Sequence, residues 1–589
     1  MVFLFSGDDT EFYPGLGLAN GGRDGDAPTP LCIVAIEMRS GRVVRLWQDE
    51  LTPSPPHRLD ADAVMWAYMN TAEFGFYLAR GWGKPANTLD AYIEHRHYVN
   101  NGAMKAEDRD KGFYSLAGAL RYFCEDDIDT AHKTDMRDRI IQGPPFSADE
   151  REQILSYCES DVRALMRLIP HLVPTIRSLP QALSRGDYTW LLAQQERRGV
   201  PIDLPQLEAI RAQWDPIRCE LVHEKDRAYH CYEIENGKPH WRSHLFVDYI
   251  KRHRMAWPTY PNGKLDEREQ AFRDMAGRYP QVETLRDLRY TLSKLRLNDL
   301  AIGHDGRARA LLGPYGTKTA RNAPSTTKFI FGPAKWLRFL ITPPPGRALI
   351  HRDYAQQEVR IAAVLSGDRA LLEACEAGDA YLGMAAQLGF IRDGMSQAEM
   401  DAVRAQFKIV VLAIMYGLGP WTLAMQTGVS FFEACEILSR LRARFHVFEE
   451  YAQNVVDHAG MNLEIATQFG WVMQCPPGIK TNTVRNFPVQ STASEVLHVA
   501  CALADRRGIA IVAPIHDALL VECPVDQAEG ISVALDKVMR DAARVVLRGC
   551  ELPTDGKIYR PGEHFFEKRG AEMWDAIQQL RIKLEERRA

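Results

Sequence analysis

Two aspartates stand where a metal-dependent phosphoryl transfer would need them. Asp353 closes an apolar run at 347–350 that continues through His351 and Arg352, where a strand should give way to a helix near Gln356. A carboxylate at a strand end is open to ligands, although a single aspartate there is commonly a helix cap. Asp517 follows His516 at the expected tip of a hairpin between strands at 509–515 and 519–523. A single turn aspartate is equally ordinary. As a pair on neighbouring strands, the two could grip hard divalent cations roughly 3.5–4 Å apart across an in-line displacement. Between them Arg404, Lys408, Leu412 and Tyr416 recur every four residues, along one helical stripe. The two cations suit a triphosphate, and the apolar continuation suits a stacked base.

A second carboxylate set lies near the N-terminus. Asp9 and Glu11 alternate as strand neighbours on one face would. Glu73 sits in Ala72-Glu73-Phe74 on an expected helix at 66–79. Tyr157 and Asp161 are one turn apart on another, expected at 151–169. Four carboxylates and a phenol could bind two metals and orient a water for phosphodiester hydrolysis.

These residues need scaffolds, and 589 residues exceed what one core usually serves, so several domains are expected. Strands are expected at 31–36 and 43–47, and helices dominate 185–300. Asp203 should cap a long helix, and 313–333 reads as a Gly, Pro, Thr and Ser loop. A helical region at 397–425 should break around Gly417–Pro420. No run of about 18 apolar residues offers a membrane span, and the short apolar N-terminus lacks the features of a signal peptide. Eleven cysteines without a C-x-x-C pair suit a reducing compartment. The net charge of −5 does not advertise nucleic-acid binding. Charge is uneven, however: Arg289, Lys294, Arg296, Arg307, Arg309, Lys318, Arg321, Lys328 and Lys335 crowd one stretch that could neutralise phosphates.

At this point the motifs resemble a family. Asp353-Tyr354-Ala355-Gln356-Gln357-Glu358-Val359-Arg360 is similar to motif A of the family A DNA polymerases, the group of bacterial DNA polymerase I. The stretch from Arg404 to Gly417 resembles motif B, and Ile515-His516-Asp517-Ala518 resembles motif C. Arg485-Asn486-Phe487-Pro488-Val489-Gln490 resembles the segment after the fingers. Thr319-Ala320-Arg321 resembles the Thr-Gly-Arg before motif A, and the pattern from Glu196 to Asp203 resembles the approach to the thumb. The N-terminal set resembles the DnaQ-like, RNase H-like 3′→5′ exonuclease of that family, and the segment 319–331 looks phage-type.

The resemblance implies an α/β multidomain chain: an exonuclease domain at 1–175, thumb at 176–310, and palm at 311–385. Fingers follow at 386–480, then palm and tail at 481–589. It implies DNA synthesis with proofreading, in replication or repair. Two Mg²⁺ per active site would serve, with Mn²⁺ able to substitute; the polymerase metals would lie on Asp353, Asp517 and the Tyr354 carbonyl. Arg404 and Lys408 would bind the dNTP triphosphate, with Lys408 protonating pyrophosphate; Gln356, Leu412 and Tyr416 would line the nucleotide, and Glu358 would exclude a ribose 2′-hydroxyl. Thr319, Arg321, Asn486, Gln490 and His516 would contact primer–template DNA. Asp9, Glu11, Glu73 and Asp161 would hold the exonuclease metals beside Tyr157. A cytoplasmic enzyme of a bacterial or phage-infected cell is implied, with no membrane partner; no motif identifies a processivity factor, helicase or primase. With the exonuclease motif starting at Asp9, no 5′-nuclease domain is expected. Four positions depart from the pattern: Leu412 replaces an aromatic residue, Ala518 a glutamate, Ala320 a glycine, and Glu73 an aspartate.

Overall fold

A computed structural model describes residues 2–5, 12–13, 25–27, 29–102, 112–125, 130–294, 297, 300–326, 328–332 and 334–587. Near the N-terminus, β1 (Val2–Phe5), β2 (Cys32–Glu37), β3 (Val43–Trp47), β4 (Val64–Ala67) and β5 (Thr88–Asp90) form one sheet in the order β3-β2-β1-β4-β5. Strands β1, β4 and β5 run parallel, and β2 runs antiparallel to both its neighbours. Every residue of β2 is buried, as a strand covered on both faces requires.

The helix expected at 66–79 is corrected here. Val64–Ala67 is the strand β4, Met69 turns the chain with φ +73°, and α1 (Thr71–Arg80) follows. A short apolar run does not distinguish strand from helix by periodicity; pairing with β1 and β5 decides it. Next, α2 (Ala91–Val99) is capped by Asp90, which accepts from the N–H groups of Tyr92 and Ile93. α3 (Ala148–Leu172) opens on a reciprocal Ser147–Glu150 capping box. α4 (Leu179–Arg198) packs on α1 and β5, where Gly186 permits a close approach: a Cβ would lie 2.1 Å from the Thr88 carbonyl oxygen. Arg185 of α4 forms a bidentate pair with Glu94 of α2 at 2.8 and 2.7 Å, both side chains almost fully buried.

Asp203 does cap a helix, but that helix is Leu204–Ala212 rather than a long one; Gln213 interrupts it before Trp214–Lys225. Trp214 stacks against Trp336, which anchors the interruption to the body. Beyond, Phe246, Tyr249, Trp257, Phe272 and Leu285 make a small separate core.

The second large sheet holds β6 (Arg347–Tyr354), β7 (Ile511–Ile515), β8 (Ala518–Pro524) and β9 (Thr554–Tyr559), in the antiparallel order β7-β8-β6-β9. One face, with Ala348, Ile350 and Tyr354, packs under α8 (Thr481–Arg506) and α9 (Ala528–Val546). The other face, with Leu349 and Leu520, packs on Trp336, Leu340 and Ile577. Between β6 and α8 come α5 (Gln357–Ser366), α6 (Ala380–Gln387) and α7 (Gln397–Met415). One apolar cluster runs unbroken from Ile33 and Phe74 in the first unit, through Tyr188 and Tyr315, to Ile350 and Val496 in the second.

Polar contacts reinforce that seam. The end of α2 grips the loop before β6. Arg96 donates to the carbonyls of Tyr315 and Gly316, and Asn100 to that of Lys318. Across from it, the hairpin of Glu464–Ala466 and Val472–Gln474 is held by Glu495 of α8. Glu495 accepts from the Thr467 hydroxyl at 2.5 Å and the Trp471 N–H at 3.3 Å. Burial pushes its carboxyl up to about 8, and those of Asp90 and Glu196 to about 7.

An acid whose folded pKa is raised binds its proton more tightly folded than unfolded. Stability therefore falls as pH climbs from the unfolded value, about 4.3 for glutamate, to the folded one. The melting temperature should drop between about pH 5 and pH 8. Glu495→Gln should shallow that drop, read by thermal melts across pH; an unaltered slope would refute the assignment.

Candidate active site

The strand register builds the centre. Asp353 on β6 lies directly opposite Ala518 of β8 on one side and Asp555 of β9 on the other. Directly opposed residues share a face of the sheet, so all three form one row. Asp517 precedes this row in the β7–β8 turn, where His516 takes φ +53°. The Tyr354 N–H donates to the Asp517 carbonyl at 3.2 Å, so main chain binds the two segments together. The Tyr354 side chain is buried and its hydroxyl donates to the Met539 carbonyl at 2.7 Å. Its side chain is thus engaged inside the fold.

The electrostatics suit a hard divalent cation. Asp353 Oδ1 is buried without a hydrogen-bond partner among the described residues. Burial pushes the Asp353 carboxyl well above the usual range, and the charges of Asp517 and Asp555 push it further while Lys408 opposes them. Asp517 is raised as well, by burial first and by Glu358, against Arg321 and Lys408. Oxygen-only donors that repel one another are what a hard divalent ion satisfies. No group of three or more acidic, histidine or cysteine side chains closes on a metal-sized point among the described residues, so the fit rests on the pair.

Around the pair, side chains meet from distant segments. Arg321 donates to Glu358 Oε1 at 2.6 Å, the Tyr416 hydroxyl donates to Glu358 Oε2 at 2.5 Å, and Gln490 donates to that hydroxyl at 3.3 Å. Burial and the Glu358 charge push Tyr416 up to about 12. The loop before β6 and the turn after α7 thus meet at one carboxylate of α5, and α8 joins them through the Tyr416 hydroxyl. Asn486 stands one turn before Gln490, half-buried. Thr319 faces Thr317 hydroxyl to hydroxyl at 3.3 Å in the loop before Arg321. His516 is held below its usual pKa by desolvation and then by Arg321 and Arg338.

Arg404 and Lys408 both lie on α7, and Lys408 is exposed. The four-residue stripe needs one correction: α7 ends at Met415, so Tyr416 falls just beyond it, before Gly417 at φ +63°. The Leu412 side chain lies outside the described residues. Arg404 donates from Nε to Asp379 at 2.6 Å, and Gln356, with φ +50°, donates to the same oxygen at 2.9 Å. Ala320, where the resemblance has glycine, takes φ +60° while fully buried. That conformation costs an L-residue about 1 kcal/mol.

The basic stretch is only partly free for phosphate. Arg307 pairs with Glu522 at 2.8 Å, Arg309 with Asp305 at 2.5 Å, and Arg289 lies 4.2 Å from the Trp241 ring centre. These three are used inside the fold. In the N-terminal unit, Glu73 is buried in the first turn of α1, and Tyr157 and Asp161 are buried on α3. Asp9 and Glu11 lie outside the described residues. Sequence reasoning missed Asp379 and Asp555. Asp379 follows Gly378 as a plain cap signal, while β9, with its glycine and lysine, gave no strand signal.

Residues 332–558 match the family model of DNA polymerase family A. The thermostable DNA polymerase I of Thermus filiformis is 26% identical over 431 residues, covering 68% of this chain and 50% of that protein. The DNA polymerase I of Deinococcus radiodurans is 23% identical over 411 residues, 65% of this chain and 42% of that one. The DNA polymerase of Mycobacterium phage D29 is 26% identical over 257 residues, 43% and 42% of the two chains. This chain thus spans about half the length, or less, of these relatives. A solved structure, the POL domain of Pol1 from M. smegmatis in complex with DNA primer-template and dNTP, shares the fold. Its TM-score is 0.67 at 18% identity, over 95% of each chain.

The Glu358 network should be measurable. Glu358→Gln removes the charge that two donors share, and should cost about 1–2 kcal/mol after allowance for partial exposure. Arg321→Met should add little more in the double variant. Thermal melts of both variants check this; fully additive losses would deny the shared contact.

Proposed function

We propose that this chain, matching DNA polymerase family A over residues 332–558, is a template-directed DNA polymerase extending a primer with dNTPs. The observation that carries the reading is the Asp353–Asp517 pair. Main chain holds the two aspartates together at the meeting point of Lys408, Arg321, Glu358 and Tyr416. The fold shared with a polymerase domain supports it.

In this reading the two aspartates and the Tyr354 carbonyl hold Mg²⁺. A bound divalent cation would stabilise charge on the phosphate undergoing transfer. Lys408 and Arg404 bind the triphosphate, and Lys408 delivers a proton to the departing pyrophosphate. Glu358, fixed by Arg321 and Tyr416, blocks the space a 2′-hydroxyl would need. Arg321, Thr319, Asn486, Gln490 and His516 line the primer–template path. The β6–β9 sheet is the palm, the α7 region the fingers, and the helices after Asp203 the thumb.

The N-terminal unit is proposed as a 3′→5′ exonuclease. Its mixed five-stranded sheet supports an RNase H-like domain. Asp9 and Glu11 follow β1 in the chain, and Glu73 opens the helix after β4, which is parallel to β1. Glu73 therefore lies at the carboxyl end of the parallel strands, where ligands gather in such sheets, while Asp9 and Glu11 lie outside the described residues. Tyr157 and Asp161 come from α3, which packs on β1 and β2. With Mg²⁺ held by these carboxylates, the unit would remove mispaired 3′ ends during replication or repair.

Separate variants test the two activities. Asp517→Ala should slow primer extension by about a thousandfold or more while primer degradation without dNTPs persists. Asp161→Ala should do the reverse. Extension that survives Asp517→Ala would overturn the metal assignment, and wild-type protein that degrades no primer in Mg²⁺ would remove the exonuclease.

Glu358→Ala should open the sugar site. Relative use of ribonucleotides should rise by about tenfold to a hundredfold, read as a ratio of kcat/KM values. An unchanged ratio would place sugar selection elsewhere.

A further inference from the structure

Asp379 sits at a junction of three segments, and its two oxygens have different tasks. Oδ1 accepts from the N–H groups of Tyr381 and Leu382, capping α6. Oδ2 accepts from Arg404 Nε at 2.6 Å and from Gln356 Nε2 at 2.9 Å. Gln356 returns the link by accepting from the Ala380 N–H at 3.0 Å. Arg360, on α5, donates to the Ala355 and Gly378 carbonyls at 3.0 and 2.7 Å and closes the loop around this carboxylate. The Tyr381 ring lies 5.6 Å from the Arg404 guanidinium carbon.

The grip on Arg404 is one-sided. Asp379 takes only the Nε–H, and the Arg404 guanidinium makes no other hydrogen bond among the described residues; the side chain is 43% exposed. A guanidinium carries five donors in a rigid plane. Holding it at Nε fixes that plane and leaves the terminal pair of nitrogens free, the edge that meets a phosphate with two parallel bonds. Meanwhile Gln356, three residues after Asp353, takes φ +50° in the turn that leads into α5. The same oxygen therefore ties the orientation of Arg404 to the turn that follows Asp353.

Resting on the polymerase reading of Arg404, we propose that Asp379 is a positioning residue that aims the Arg404 guanidinium at the triphosphate and registers it against the Asp353 strand. It touches no substrate. Its effect is to remove the search of a long, flexible side chain before the nucleotide arrives, an entropic saving realised on binding.

The test uses the full chain and tripolyphosphate without metal, followed by calorimetry. Asp379→Ser keeps a hydroxyl for the helix cap and deletes the carboxylate that holds Arg404. Tripolyphosphate binding should weaken about fivefold to tenfold, within the range for contacting charged pairs. In primer extension KM for dNTP should rise with little change in kcat, while primer–template affinity stays constant. The decisive comparison is the cycle with Arg404→Ala: once Arg404 is gone, Asp379→Ser should have no further effect. Equal losses with and without Arg404, or no loss at all, would overturn the proposal. Should serine lower the melting temperature markedly, Asp379→Asn keeps the shape and one acceptor and repeats the cycle. If Arg404→Ala itself leaves tripolyphosphate binding unchanged, the phosphate role of Arg404 fails, and Asp379 fails with it for that separate reason.

Discussion

Everything at the centre depends on holding two like charges together against their repulsion. Asp353 and Asp517 are both partly desolvated, and each makes the other's ionisation harder. Side-chain hydrogen bonds do not impose the arrangement, since Asp353 Oδ1 has no partner among the described residues. The backbone does: β6 is paired on both sides, and the Tyr354 N–H reaches the Asp517 carbonyl. Because side chains alternate along a strand, a slip of one residue in β8 would turn its row away from Asp353. The apolar packing on both faces of this sheet is therefore what opposes the repulsion.

Much of this was legible in the amino-acid sequence, and for identifiable reasons. The Asp353 strand, the Asp517 hairpin and the α7 break stand out because apolar runs end at chemically distinctive residues. What could not be read were relations between distant segments. Glu358 receives Arg321 and Tyr416 from positions 37 residues before and 58 residues after it, and no local pattern encodes that meeting. β9 was missed because an exposed edge strand with glycine and lysine carries no apolar alternation. The helix expected at 66–79 takes in Trp66 and Ala67 of β4, because a four-residue run with three residues buried says nothing of period. The basic stretch misled differently: composition counts charges, while Arg307 and Arg309 use theirs within the fold.

The loop before β6 shows how local strain is tolerated near a site. Tyr315 and Ala320 both adopt positive φ, at +51° and +60°. Their carbonyl neighbours are taken up by Arg96, Asn100 and the Trp471 indole, which donates to Lys318 at 2.8 Å. Contacts from outside the loop thus over-determine its shape, the condition under which unfavourable backbone angles persist. Arg321 inherits its position from that shape.

The continuous apolar cluster between the two units bears on modularity. Phe74 and Trp190 pack edge to face at 5.1 Å, and Tyr315 stacks on Trp471 at 5.0 Å. The buried Arg185–Glu94 pair crosses from α4 to α2. Cutting the chain between the units would bare aromatic surface on both fragments and strand a charge in each. The N-terminal unit is thus a foundation as well as a candidate nuclease. Engineering aimed at the proposed cleavage should alter carboxylates and leave the domain in place, and a descendant without nuclease chemistry would still have reason to keep its walls.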